Sequence, residues 1–259
     1  MTRENLAVVV PCFNEALVIG RSIERLREWF PSAAIVVVDD GSEDDTLQRA
    51  QAAAAGHALV QTVRLPANRG KGVAVASAVP LVCSRAGVVV VDADLAFGRT
   101  TLERAVDALQ AVDVAIGNRR HPDSTYGVPV RLFGFLYRRH LLGLLFNVFV
   151  RVCLGLTHRD TQCGVKAFRA TAFQEVMPRL TTAGFAFDLE VLLIARGLGL
   201  RVAEIPVAVT IETGRSSVRL LRDGLIALRE VGALAARRAV GEYRRSRLAR
   251  PSAKGANER

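Results

Sequence analysis

Lysine is almost missing from a strongly basic chain: of 35 Lys and Arg residues in 259, only Lys71, Lys166 and Lys254 are lysine. Cysteine and histidine are scarce as well. Cys12, Cys83, Cys153 and Cys163 form no Cys-x-x-Cys pair, and His57, His121, His140 and His158 supply no His-Glu-x-x-His. Those spacings argue against a zinc site and fit reduced thiols in a cytosolic compartment. No stretch of 18 uncharged apolar residues occurs, and the first apolar run stops at Pro11; neither a membrane span nor a signal peptide is expected. Gly-x-x-x-x-Gly-Lys-Ser/Thr is absent, as is Gly-x-Gly-x-x-Gly after the first apolar run, which takes weight from kinase and dehydrogenase readings. Aromatics make up 6% and do not interleave with the arginines, so nucleic acid recognised by base stacking is not the expected partner.

What is present is a hydrophobic content of 50% over a length that suits one sizeable α/β domain, or a domain with an appendage. The net charge of +10 and pI near 10.4 call for an anionic partner. Charge alone does not choose among nucleic acid, a phosphorylated metabolite and an acidic membrane surface.

In chain order, Leu6 to Val10 reads as a strand stopped by Pro11-Cys12-Phe13-Asn14-Glu15, with Leu17, Ile19, Ile23, Leu26 and Phe30 following at helical spacing. Ile35 to Val38 is a second strand, and the acid-rich Asp39 to Thr46 precedes an alanine-rich helix ending near Gly56. Leu59 to Leu65 is a third, followed by Asn68-Arg69-Gly70-Lys71-Gly72 and a helix from Val73. Val88 to Val91 is the fourth and runs directly into Asp92-Ala93-Asp94. Repeated βα alternation predicts a mostly parallel sheet flanked by helices, a Rossmann-like α/β fold.

All four of these loops fall at strand C-terminal ends, where open α/β sheets bind ligands. On its own an Asp-x-Asp reads more readily as a helix cap, Asp92, and a solvated turn residue, Asp94, than as a metal site. Together, however, Asn14, Glu15 and Asp40 offer hydrogen-bond acceptors, Lys71 a cation, and Asp92 with Asp94 a site for a hard divalent ion. A nucleotide diphosphate needs that set: acceptors for base or ribose, and a metal with a lysine to stabilise the departing pyrophosphate. Lys71 and Lys166 both survive a composition that prefers Arg, and a compact ammonium approaches a phosphate as a point charge where a planar fork does not. Chance accounts for two such residues equally well.

Val9-Val10-Pro11-Cys12-Phe13-Asn14-Glu15, Val37-Val38-Asp39-Asp40-Gly41-Ser42, Asn68 to Gly72, Asp92-Ala93-Asp94 and Asp160-Thr161-Gln162-Cys163-Gly164-Val165-Lys166-Ala167-Phe168, in this order, resemble the inverting GT-A glycosyltransferases of family 2. More narrowly they are similar to polyprenyl (dolichyl) phosphate glucosyltransferases and their mannosyl relatives, over roughly residues 5 to 245. The resemblance implies a GT-A fold in which Pro11, Asn14, Glu15, Asp40 and Lys71 hold the nucleotide sugar. Asp92 and Asp94 would bind Mg²⁺ or Mn²⁺ and the diphosphate, and Asp160 would lie beside the transferred sugar with Asp188 or Glu190 near its hydroxyls. Arg119, in Ile116-Gly117-Asn118-Arg119, and Arg131 would meet the acceptor phosphate. The chain departs from the pattern at Ala96, where mannosyl relatives carry a Gln metal ligand, at Phe135, where they carry Ser, and at Ser217, where a Lys is usual. Arg215 would then supply the missing charge. The Asp160-Thr161-Gln162-Cys163-Gly164 segment leans to glucose, from UDP-glucose, over mannose from GDP-mannose.

From Leu132 to Leu156 the chain is apolar nearly all round, interrupted by Arg138, Arg139, His140, Asn147 and Arg151. Such a stretch, expected as a pair of surface helices, is either buried on several sides or lies in a lipid interface with its arginines snorkelling. From Arg215 to Arg250 ten arginines face only Asp223, Glu230 and Glu242, a basic amphipathic helix or helix pair suited to anionic lipid. The expected organisation is a catalytic domain over 1–215 with interface helices at about 129–156, basic helices over 216–250 and a tail over 251–259. The expected location is the cytoplasmic face of a membrane, held peripherally. Two rivals stay open: a glycosyltransferase with a soluble acceptor, and a non-catalytic basic protein that binds membrane or nucleic acid.

Overall fold

The structure, a computed structural model, describes residues 5–127, 133–184, 186–210, 220–244 and 248, with the side chains of 133–142 and 220–225 left aside. Arg131, Arg215, Ser217 and the tail at 251–259 lie outside the described residues.

Long β-branched runs dictate the centre. β1 (Leu6–Cys12), β2 (Ala34–Asp39) and β4 (Gly87–Val90) are buried at every position, as strands covered on both faces must be. β3 (Val60–Arg64), β5 (Val114–Asn118), β7 (Lys166–Arg169) and β8 (Val202–Pro206) complete a seven-stranded sheet of order β3-β2-β1-β4-β7-β5-β8. A separate parallel pair joins β6 (Thr125–Gly127) to β9 (Ala208–Thr210). Successive side chains of β1 alternate between two cores: Ala7 and Val9 on one face, Leu6, Val8 and Val10 on the other.

The second face is covered by α1 (Ile19–Trp29), α2 (Thr46–Ala54) and α5 (Gly98–Ala108) through Ile23, Leu26, Ala50 and Leu102. The first is covered by α3 (Lys71–Ser77), the short α4 (Val79–Val82), α7 (Ala170–Val176) and α8 (Phe187–Leu198). Beyond them α6 (Phe133–Leu154) and α9 (Leu220–Ala239) add Val150, Leu154, Val231 and Leu234 to the same core.

The sheet is mostly parallel, as the βα alternation predicts, but three expectations change. Val165 to Arg169, open between strand and loop, is β7, inserted antiparallel between β4 and β5. It returns after the long excursion through α6 rather than by a direct βα crossover, so it enters from the opposite edge. Arg201 to Val209 is not one strand: Val207 separates β8, in the main sheet, from β9, in the small one. The expected helix pair is one 22-residue helix, α6, buried at Asn147, Val150 and Leu154 and exposed at Leu145, Val148, Phe149 and Val152. One face is thus buried in the core and the other is apolar and exposed.

Glu190 also changes meaning. It is fully buried and accepts hydrogen bonds from Thr181 N (2.9 Å), Thr181 Oγ1 (2.6 Å), Thr182 N (2.7 Å), Arg237 Nη1 (3.2 Å) and Tyr243 Oη (2.9 Å). A carboxylate with that many donors and no exposure faces no sugar; it ties the end of α9 to the loop before α8. Burial and Glu190 itself hold the Tyr243 phenol well above its ordinary pKa. Glu190→Ala is expected to cost about 3 kcal/mol or more, because it leaves the Thr181 and Thr182 N–H groups and the Thr181 and Tyr243 hydroxyls without their buried acceptor, while Arg237 keeps its pair with Glu242. Urea unfolding checks this, and a loss below about 1 kcal/mol, the worth of an ordinary hydrogen bond, would contradict the role.

Candidate active site

Because β1, β2, β3 and β4 are parallel, the loops after them converge on one edge of the sheet. The first two are stitched together. Asn14 adopts a positive φ of 56°, which Asn tolerates better than most residues. Its amide N donates to Ser42 Oγ (2.9 Å) and its side-chain Oδ1 accepts from Glu43 N (2.9 Å). Glu15 N donates to Thr46 Oγ1 (2.7 Å), and Pro11 is buried within β1, opposite Val38.

Asp40 holds the third loop. Its buried carboxylate accepts the N–H of Arg69 (2.8 Å) and of Gly70 (2.7 Å). Each oxygen of the carboxylate that sequence reasoning gives to a nucleotide thus accepts one backbone N–H, and through these bonds Asp40 also holds the Gly70-Lys71-Gly72 turn. The two glycines are required by close approach: Gly70 has φ 93°, and a Cβ on Gly72 would lie 2.6 Å from Thr182 O. Gly72 N donates to Ala183 O at 2.9 Å. The 181–184 loop thus backs the lysine turn on one side and is held by Glu190 on the other.

Lys71, the first residue of α3, places its ammonium on Asp92 Oδ1 and over the Phe187 ring, 5.5 Å from the centroid. Burial disfavours this charge, but Asp92, Asp188 and the hydrogen bond to Asp92 outweigh it and hold the Lys71 pKa above its ordinary value. Asp92 and Asp94 leave the end of β4 through a strained turn, with Leu95 at φ 48°. Asp94 reaches solvent, yet desolvation by its surroundings raises its pKa; the Ala96 N–H offsets part of this and Asp92 adds to it. Glu15, half-buried, is pushed from 4.5 to about 7 by burial and then by Asp94, Asp92 and Asp44. Three carboxylates therefore repel one another around a single lysine.

Such a donor set fits a hard divalent cation. Among the described residues no three His, Cys, Asp or Glu side chains form a metal cage, so protein oxygens from Asp92 and Asp94 would hold Mg²⁺ or Mn²⁺ together with oxygens of a bound diphosphate. The backbone of Gly164 closes against Asp92, since a Cβ there would overlap the Asp92 carboxylate.

The remaining predicted residues are brought together in an unexpected way. Asp160 is buried and forms a two-pronged pair with Arg119, Nε to Oδ2 at 2.7 Å and Nη2 to Oδ1 at 2.9 Å, with Arg119 N donating as well at 3.0 Å. Burial alone would raise the Asp160 pKa, but these contacts overcome it and hold it below the usual carboxylate range. The guanidinium expected on an acceptor phosphate and the carboxylate expected beside the sugar are paired with each other. Lys166 is likewise turned inward, 2.6 Å from Asp188 and 2.8 Å from Cys163 O, so its survival against the arginine bias reflects a tight buried fit. Sequence reasoning missed Phe187, under Lys71, and Glu230 of α9, whose Oε2 accepts the Ala186 N–H at the start of α8 (2.9 Å). Neither carries a local signal, because each acts on a residue brought near by the fold.

A family model described as "Glycosyl transferase family 2" matches residues 7–176. The dolichyl-phosphate beta-glucosyltransferase of Saccharomyces cerevisiae is 30% identical over 228 residues, 78% of this chain and 66% of the relative, so this chain spans about two thirds of that protein's length. The undecaprenyl-phosphate mannosyltransferase of Micrococcus luteus is 27% identical over 81% of this chain and 86% of the relative. In structure, the chain resembles glucosyl-3-phosphoglycerate synthase from Mycobacterium tuberculosis in complex with UDP, with a TM-score of 0.62, 21% identity, and coverage of 96% of this chain and 82% of that one. The same enzyme has been solved with Mn²⁺, UDP-glucose and phosphoglyceric acid (TM-score 0.62). At this identity the structural likeness speaks to the fold, an α/β GT-A fold.

The acid cluster gives a prediction that needs no substrate. Glu15 has a folded pKa of about 7 against an ordinary 4.5, so the folded state holds its proton more tightly. The stability this confers is complete below 4.5 and is lost as pH rises through 7. In EDTA, wild type should lose stability over that window relative to Glu15→Gln, and Mg²⁺ should reduce the loss. Superimposable denaturation midpoints for the two proteins would contradict the crowding.

Proposed function

The chain belongs to glycosyl transferase family 2, and we propose that it moves a hexose, glucose from UDP-glucose in preference to mannose from GDP-mannose, onto a polyprenyl phosphate with inversion. The observation that carries this is the meeting of Lys71 with Asp92, Asp94 and Glu15 at the loop edge of the sheet. That arrangement suits a leaving group that is a diphosphate and little else.

In this reading the paired first and second loops, with Pro11, Asn14, Glu15 and Asp40, shape the nucleotide end. Asp40 keeps the Gly70–Gly72 turn in place so that Lys71 can swing its ammonium from Asp92 to the diphosphate. A divalent cation at Asp92 and Asp94 would act as a Lewis acid for the departing diphosphate. The acceptor oxygen forms its bond to the anomeric carbon as the bond to the diphosphate oxygen breaks on the opposite face. A phosphate acceptor is already anionic at neutral pH, so no general base has to remove a proton. Asp160 accordingly acts by holding Arg119 and the 160–164 loop rather than as a base. Arg131 and Arg215 are proposed as further contacts to acceptor phosphate and diphosphate.

A lipid acceptor is favoured by the outer surface. The exposed face of α6 presents Leu145, Val148, Phe149 and Val152, and the neighbouring α9 presents Ile226 and Leu228. The two helices are joined by Arg238 Nη1 donating to Cys153 O (3.2 Å). Among the described residues no helix is long and apolar enough to cross a membrane. An apolar strip on a chain of net charge +10 suits docking in an anionic lipid interface, here the cytoplasmic face.

The test is transfer of labelled sugar from each nucleotide sugar into a lipid extract, using purified protein and vesicles. Asp94→Asn is expected to lower turnover about a hundredfold or more, and EDTA to abolish it; vesicle association should fall with rising salt. Full activity in EDTA removes the metal role. Transfer confined to soluble phosphorylated acceptors, with no response to anionic vesicles, removes the lipid.

A further inference from the structure

A charged side chain stands where the sheet otherwise presents apolar ones. Lys166 opens β7 opposite Val90 of β4 and Ile116 of β5, and by the two-residue alternation of a strand it shares its face with Phe168. That face lines the core under α8. Lys166 is 3% exposed, and its ammonium lies 2.6 Å from Oδ1 of Asp188, itself 7% exposed, in the first turn of α8. An acid in a first helical turn is favoured by the helix dipole, but that effect asks for no burial.

Burial makes the pair a poor source of stability. Taking two charges out of water offsets most of their attraction, and apolar side chains of similar volume serve a core equally well or better. What a paired charge adds is a fixed position, and the two ends of this pair are fastened to the two walls of the donor pit. Lys166 Nζ also donates to Cys163 O at 2.8 Å, and the next residue, Gly164, lies against the Asp92 carboxylate. Asp188 follows Phe187, whose ring lies under the Lys71 ammonium and whose Cβ would be 2.8 Å from a Cβ on Gly72. Charges thus alternate from the pit inward through Asp92, Lys71, Asp188 and Lys166, with the Asp188 charge acting on Lys71 as well. The slot also suits lysine in an arginine-rich chain, because one compact nitrogen meets a carboxylate and a carbonyl where a planar fork would need more room.

We propose that Lys166 and Asp188 are positioning residues for the donor: their buried pair clamps the Cys163-Gly164 turn to the start of α8, and so sets the spacing between Asp92 and Lys71 into which a diphosphate and its cation must fit. This rests on the glycosyl-transfer reading. Both residues act through the walls they hold.

Removing one partner alone would leave a buried charge unpaired and destabilise the fold, so the test uses the double variant Lys166→Met/Asp188→Leu. Its thermal midpoint is expected near that of wild type. Hydrogen exchange read by mass spectrometry without ligand should quicken at 160–164 and at 70–72, and should stay at wild-type rates in β1 and β2. UDP binding in Mg²⁺, followed by calorimetry, should weaken about tenfold, the effect of losing one charge-assisted contact. Turnover should fall about a hundredfold, as when reacting groups are misplaced by about 1 Å, with the KM for a short-chain prenyl phosphate unchanged; a general loss of stability would not split the constants in this way. Lys166→Gln/Asp188→Asn, which puts neutral hydrogen-bonding groups of shorter reach in place of the ion pair, keeps the test open should the apolar pair misfold, and should show a smaller loss in the same direction. If exchange quickens in both walls while wild type binds no nucleotide sugar, the clamp stands and the donor reading falls. If a folded double variant exchanges like wild type at 160–164 and 70–72, or binds UDP and turns over as wild type does, the positioning role is overturned.

Discussion

The contact between the Lys71 ammonium and the Asp92 carboxylate is the interaction on which the arrangement of the site depends. Asp92, Asp94 and Glu15 are drawn together by the ends of β4 and β1, and each ionised carboxylate makes the next harder to ionise. One lysine, seated against Phe187, balances part of that charge and leaves the rest for a cation and a ligand. A site built this way is poised: the ammonium that now neutralises a carboxylate is the one that a diphosphate would attract. The strained Leu95 turn and the overlap-free fit of Gly164 against Asp92 keep the pit from relaxing.

Much of the rest of the molecule serves to hold that lysine. Asp40 fixes the backbone before it, the 181–184 loop backs the glycines on both sides of it, and Glu190 fastens that loop to Arg237 and Tyr243. Glu230, from the same helix α9, accepts from the first turn of α8. Helix α9, which presents Ile226 and Leu228 to solvent and packs beside α6, is therefore bonded to the loop that backs the Lys71 turn, a physical route by which the proposed docking at a lipid surface would bear on the site.

The sheet is legible in the sequence because β-branched runs such as Val36-Val37-Val38 and Val88-Val89-Val90 leave no other structure open, and turn residues punctuate them. Asp92 and Asp94 are legible for the same reason, as acids delivered by such a run. What escapes is whatever is made by pairing at a distance. The antiparallel entry of β7 depends on where α6 returns the chain, and the Arg119–Asp160 lock spans 41 residues. Asp40 reads as a ligand for a nucleotide when taken alone; that its oxygens meet the N–H groups of Arg69 and Gly70, 29 and 30 residues on, has no trace in local pattern. Ordered motifs thus locate the loops that matter, while each residue's task inside them follows from tertiary partners.

The central claim is that Asp92 and Asp94 make only part of a metal site, which a diphosphate completes. Mn²⁺ binding followed by electron paramagnetic resonance, with and without UDP, tests it most directly. The account predicts weak Mn²⁺ binding by the protein alone, strengthening about tenfold or more when UDP is added, and loss of that strengthening in Asp92→Asn. Tight Mn²⁺ binding without UDP that survives Asp92→Asn would contradict it.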